Sequence, residues 1–239
     1  MNGPKIIFTI PVLGGINITE SIVNMWLVMA VLVLVSALLT RGLKTRNPSK
    51  RQLALEKLVT MLNNLVTENM GEEYKGFAPY IGTLFILSIV GSLSSLLTLR
   101  PYTADLSVIL AWTTLTFVMI QVNNMRHHGV FGWLKSFAEP VAFITPLNVI
   151  SEIANPISMT FRHFGNIAAG LVITSLVYGG LASLSAAVLK LAPDFIASIP
   201  ILQIGLPAVL SVYFDLFTSF LQAYILCMLT MVFIKSSGE

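Results

Sequence analysis

Charge is what this chain has least of. Only 10% of its 239 residues are Asp, Glu, Lys or Arg and 55% are hydrophobic, where an ordinary soluble domain carries about 25% charged residues. So few charges cannot coat a water-soluble fold of this size, so the composition indicates a polytopic membrane protein. Cysteine is nearly absent too. The single Cys227 sits in an apolar run, which excludes a disulfide framework or cysteine metal site and reads as a small buried residue. Internal repeats, Gly-rich phosphate loops and low-complexity tracts are missing. So are the HExxH, paired-Asp and Gly-x-Ser-x-Gly patterns, which argues against an intramembrane enzyme; no metal site and no cofactor are implied. His127 and His128 lie in a basic loop, and His163 abuts Arg162 on a different helical face. The net charge of +3 comes from loops between apolar runs, so it fits a membrane better than nucleic acid.

What the chain has is length of apolar run. A bilayer crossing takes about 20 such residues. Ser21–Thr40 is uncharged, Gly76–Leu99 is uncharged between Lys75 and Arg100, and 104–125 contains the uncharged run Leu106–Met125. These are three expected conventional spans. The first continues to full spanning length, so it is expected as a retained span rather than a cleaved signal peptide. Between the first two, Arg41–Lys75 holds seven basic and four acidic residues. Its centre, 51–70, puts Leu55, Leu58, Leu62 and Leu65 on one helical face. That is an amphipathic helix, lying on the membrane surface or packed on the protein's own loops.

The C-terminal half reads as two longer segments, 147–190 and 195–235. Glu152 and Arg162 lie in the first and Asp215 in the second. A helix of 40 residues measures about 60 Å, twice a hydrocarbon core of about 30 Å. Each segment is therefore a helical hairpin, broken near Pro200–Pro207 in the last one, or a single oblique helix. Five crossings with the N-terminus outside and the C-terminus cytoplasmic leave ten Lys/Arg inside and only Lys5, Arg100 and Lys190 outside, as the positive-inside rule prefers. The expected fold is an all-α polytopic membrane protein, a single domain over 1–239. It has five transmembrane helices and an amphipathic surface helix, the last two spans long and strongly tilted.

Arg162 is the costly residue. At bilayer depth an arginine costs at least about 2.5 kcal/mol and marks a functional site by default. At about 100° per residue, Asn155, Ser158 and Asn166 fall within about 40° of it, which makes one polar stripe. The small residues Gly165, Ala168, Ala169 and Gly170 surround the stripe and admit a close neighbour helix. A second stripe, Asp215, Ser219 and Gln222, sits at i, i+4 and i+7 in the last segment. Facing stripes make a hydrophilic path, or interhelical glue. Asp215 either pairs with Arg162 permanently, or the partner carboxylate comes from another subunit. A transporter acting alone is disfavoured because inverted repeats are missing.

The segment PLNVISEIANPISMTFRHFGNIAAG, followed by SFLQAYILCMLTMVFI, resembles the a subunit of bacterial F-type ATP synthases. RPYTADLSVILAWTTLTF and HHGVFGWLKSFAEP extend the resemblance over roughly 20–237. It implies an ion-translocating stator with two offset half-channels, serving a rotating ring of c subunits. It also implies peripheral-stalk b subunits and the rest of the synthase as partners, in the bacterial inner membrane. By resemblance Arg162 faces the ring and prevents a short circuit, accompanied by Gln222. Asn166 and Asp215 serve the outer path, Glu152 and Asn155 match positions toward the cytoplasmic end, and Asp105 matches an Ala-Asp motif. Ser158 and Ser219 complete the expected ion path. Where many members carry Glu after Ala-Gly, this chain has Leu171, which cannot relay a proton.

Overall fold

A short antiparallel hairpin, β1 (Ile6–Ile10) and β2 (Ile16–Thr19), leads directly into the first helix, α1 (Glu20–Leu39). This computed structural model describes residues 5–11, 15–45, 47–97, 99–138, 142–188 and 212–238. α1 is apolar on every side and almost uncovered, with Ser21 and Val28 its buried residues. A helix apolar all round must be immersed in something apolar; little of this chain covers it, so lipid or an apolar partner chain must.

α2 (Lys50–Met70) starts at Ser49, whose hydroxyl accepts from the Gln52 N–H at 3.3 Å. Such a cap satisfies one of the donors every helix N-terminus leaves open. Only the later part of its apolar face meets protein. Val66 and Met70 are buried, while Leu53 and Leu58 stay exposed. That later part packs on α3 and α6. A 3-10 turn (Glu72–Phe77) feeds α3 (Ala78–Leu93), and after further short turns α4 (Leu106–Ser136) begins at Asp105.

α4 brings a correction. The residues read as a basic loop, including His127 and His128, are helical, with one break at Gly129 (φ 70, ψ 169). Glycine alone adopts that conformation without a Cβ penalty. The helix can therefore bend sharply and resume as 130–136 instead of ending.

α5 (Thr145–Val188) is one unbroken element of 44 residues with Pro156 inside it. Its length is about 66 Å at about 1.5 Å per residue, so this segment is a single long helix over its described part. A π-helical turn (Val212–Phe217) precedes α6 (Thr218–Ser236). The expected break near Pro200–Pro207, Lys190 and the start of the 195–235 segment lie outside the described residues. Five helices among the described residues are long and apolar enough to cross a membrane: Glu20–Leu39, Glu72–Leu97, Leu106–Ser136, Thr145–Ser185 and Thr218–Ser236. The chain is an all-α polytopic membrane protein apart from its small hairpin.

The core lies where α2, α3, α5 and α6 meet, around Val66, Ile81, Met159, Leu226, Cys227 and Met231. Cys227 is buried, as a small apolar residue should be. Lipid is as apolar as leucine, so close packing and interhelical hydrogen bonds must do the joining. Gly82 receives Leu62, and Gly91 lies so close to the Tyr102 ring that a Cβ would collide with it. Thr113 and Thr160 hydroxyls pair at 2.6 Å between α4 and α5, and Tyr80 and Thr116 at 2.7 Å between α3 and α4. Asn123 donates to the Ile234 carbonyl at 2.9 Å, which ties α4 to the end of α6.

Candidate functional site

α5 packs along α4 and α6, and three openings follow one another along it, the outer two partly polar. The largest is a cavity of about 450 Å³ between α4, α5 and α6. Thr116, Asn124, Asn148, Glu152, Asn155 and Ser237 line it, and Glu152 is its one ionisable side chain among the described lining residues. We refer to it as the Glu152 cavity.

Beyond it, Met159, Arg162, His163, Gln222, Leu226 and Leu229 close in on a space of about 10 Å³. Arg162 and Gln222, expected to act together, therefore border the same small gap. Gln222 is buried, whereas Arg162 is exposed on the open side of α5. No carboxylate among the described residues lies within ion-pair distance of Arg162. Asp215 has its backbone in the π-helical turn just before Ser219; its side chain lies outside the described residues.

The third opening, the Asn166 pocket, is bordered by Ser92, Ser95, Pro101, Asn166, Leu171 and Ser219, and again holds about 10 Å³. That is room for about one water. Glu152 and Arg162 are separated by about 15 Å along the helix, and Arg162 and Asn166 by about 6 Å. The apolar and amide block at Arg162 thus stands between a wide polar cavity on one side and a narrow polar pocket on the other.

Two expected path residues are placed elsewhere. Ser158 is exposed and borders neither opening. Asp105 caps α4, accepting from the Ser107 N–H at 3.1 Å and from the Thr19 hydroxyl at 3.4 Å. Its carboxylate is occupied in fixing where α4 starts.

Sequence reasoning passed over several polar residues here. His163, dismissed with the other histidines, is 1% exposed, and its Nε2 lies 3.3 Å from the Ser88 hydroxyl. Ser88 and Ser92 of α3 and Ser95 of the 3-10 turn that follows it, at i, i+4 and i+7, border α5 residues, and that spacing was a readable signal. Gln121 was missed as well; it donates to Glu152 at 3.0 Å. Groups of His, Cys, Asp and Glu able to hold a metal ion are not found among the described residues.

The family model for the ATP synthase A chain matches residues 22–235. The sodium-ion-specific ATP synthase subunit a of Propionigenium modestum is 29% identical, over 99% of this chain and 86% of its own length. ATP synthase subunit a 3 of Pelobacter propionicus is 32% identical, over 90% of this chain and 85% of its own. ATP synthase subunit a 2 of a Bradyrhizobium species reaches 35% over 69% of this chain.

Proposed function

The chain belongs to the ATP synthase A chain family and is a membrane Fo subunit of that enzyme, and from this premise we propose that it is the stator of a rotary ion motor, with two offset half-channels kept apart by Arg162. The observation that supports this reading most is the arrangement along α5. A polar opening lies on each side of Arg162, and packed Met159, Gln222, Leu226 and Leu229 lie between them.

The cation, a proton or Na+, enters from outside through the Asn166 pocket, with Asp215 and Ser219 as neighbours. It neutralises a carboxylate on the passing c ring. The neutral carboxyl then turns into lipid, since burying an isolated carboxylate there is prohibitive. After nearly a full turn it reaches the Glu152 cavity and releases its cation to the cytoplasm, past Asn155 and Glu152. The peripheral-stalk b subunits hold the stator against the torque. This direction follows the loop charges, which put the C-terminus on the cytoplasmic side.

Arg162 separates the two routes. A fixed guanidinium favours the ionised form of a carboxylate beside it and repels any cation moving straight through. Lysine is a poor substitute, because it loses its proton when buried and lacks the bidentate fork. Exposure of Arg162 in the isolated chain suits a partner on another subunit. Arg162→Ala in the whole synthase, reconstituted in vesicles, is expected to abolish ATP-driven cation pumping. Pumping at the wild-type rate would refute the assignment.

A further inference from the structure

Gln121 on α4 donates from Nε2 to Glu152 Oε2 at 3.0 Å, and accepts from Trp133 Nε1 at 2.7 Å through its own Oε1. In a continuous helix residues 121 and 133 would stand about 18 Å apart along the axis. The break at Gly129 folds 130–136 back and brings the indole to the amide. The ring of Trp133 is further held edge-on by Phe137, with centroids 5.2 Å apart.

The chemistry of this chain of contacts has one direction. An indole N–H only donates, so it must meet the oxygen of the Gln121 amide. The amide's NH2 is then forced toward Glu152, whose carboxyl oxygen accepts it. An unanchored glutamine could flip and turn its oxygen to the carboxylate; Trp133 forbids that. One carboxylate oxygen is thus fixed, and no donor among the described residues engages the other, Oε1. Glu152 is the one ionisable group among the described residues lining the cavity, so it is the carboxylate that a cation released from the ring meets there.

We propose that Trp133 and Gln121 are positioning residues that hold the Glu152 carboxylate as the cation acceptor of the cytoplasmic path. This rests on the reading above, in which the Glu152 cavity is that path. It makes the Gly129 break a functional part of the stator.

The test uses the whole synthase in vesicles, with the amount of assembled complex measured for each variant. Gln121→Met keeps the length of the side chain and loses both hydrogen bonds. It is expected to slow cation-driven ATP synthesis about tenfold at low cation load and to raise the cytoplasmic-side pH or Na+ dependence, as loss of a bond to a charged group would. Trp133→Phe keeps a ring against Phe137 and removes only the donor; a loss of about twofold to fivefold in the same sense is expected. In a Glu152→Gln background neither change should add anything, because there is no carboxylate left to position. Additive losses in that background, or a Gln121→Met complex with wild-type cation dependence, would overturn the proposal. If Glu152→Gln is itself silent while Arg162→Ala abolishes pumping, the positioning proposal fails and the stator reading stands. If Arg162→Ala pumps normally, the stator reading fails first.

Discussion

The Glu152 cavity and the Asn166 pocket lie on opposite sides of the same arginine, yet they are built differently. The first holds about 450 Å³ and contains an anchored carboxylate. The second has space of about 10 Å³, and its described lining offers serine hydroxyls and one amide, with Leu171 in place of a carboxylate. A wide cavity with a fixed charge accommodates a hydrated cation. A one-water pocket of neutral groups passes a cation only if a charged group nearby draws it in. In the stator we propose, the two half-channels therefore do not share a chemistry, and the narrow one depends on a residue from the last segment. Asp215, one turn before Ser219 on the same helical face, is that residue in our account.

The largest effect expected beyond Arg162 is therefore on the narrow side. Asp215→Asn should slow cation entry by at least about tenfold, the scale of losing one charge-assisted contact, with assembly intact. Flux measured against external cation concentration checks it. Leu171→Glu in that background should recover part of the loss by returning a carboxylate to the pocket; no recovery would mean the two positions do not serve one path. On the wide side Glu152→Gln should leave entry unchanged and slow ATP synthesis by at least as much as Gln121→Met does, with an altered dependence on the cytoplasmic cation level.

Packing variants separate geometry from charge. Gly91→Ala forces a methyl against the buried Tyr102 ring and should cost about 1–3 kcal/mol of stability, as overpacking does. Thermal dissociation of the purified complex measures it. An unchanged midpoint would show that α3 shifts freely beside the narrow pocket. The smallest effect is expected far from both openings. Ser49→Ala removes the α2 cap at a cost of about 1 kcal/mol, visible as faster amide exchange at the start of α2 with unchanged ion flux.

Much of the architecture was legible because a bilayer dictates length. Uncharged runs at 21–40 and 76–99 can hardly be anything but crossings, and Arg162 declared itself by its cost. The expectation that Gln222 accompanies Arg162 came from the family resemblance, since helical spacing relates residues only within one helix, and both residues border one gap. What stayed hidden depends on tertiary contact. Gly129 looked like one more loop glycine, and only its positive φ shows that the helix bends and continues. Trp133 and Gln121, twelve positions apart, match no helical period, so no pattern search would couple them. Asp105 looked like a path residue because a carboxylate near a membrane end serves a cap or a channel equally well in sequence. The structure places it as a cap.

The central claim is that Arg162 keeps two openings from becoming one. The direct measurement is passive cation flux through synthase in vesicles with its rotor locked. The account predicts that the wild-type complex blocks flux, because the cation must ride the ring, and that Arg162→Ala conducts down the gradient. A locked Arg162→Ala complex as tight as wild type would contradict it.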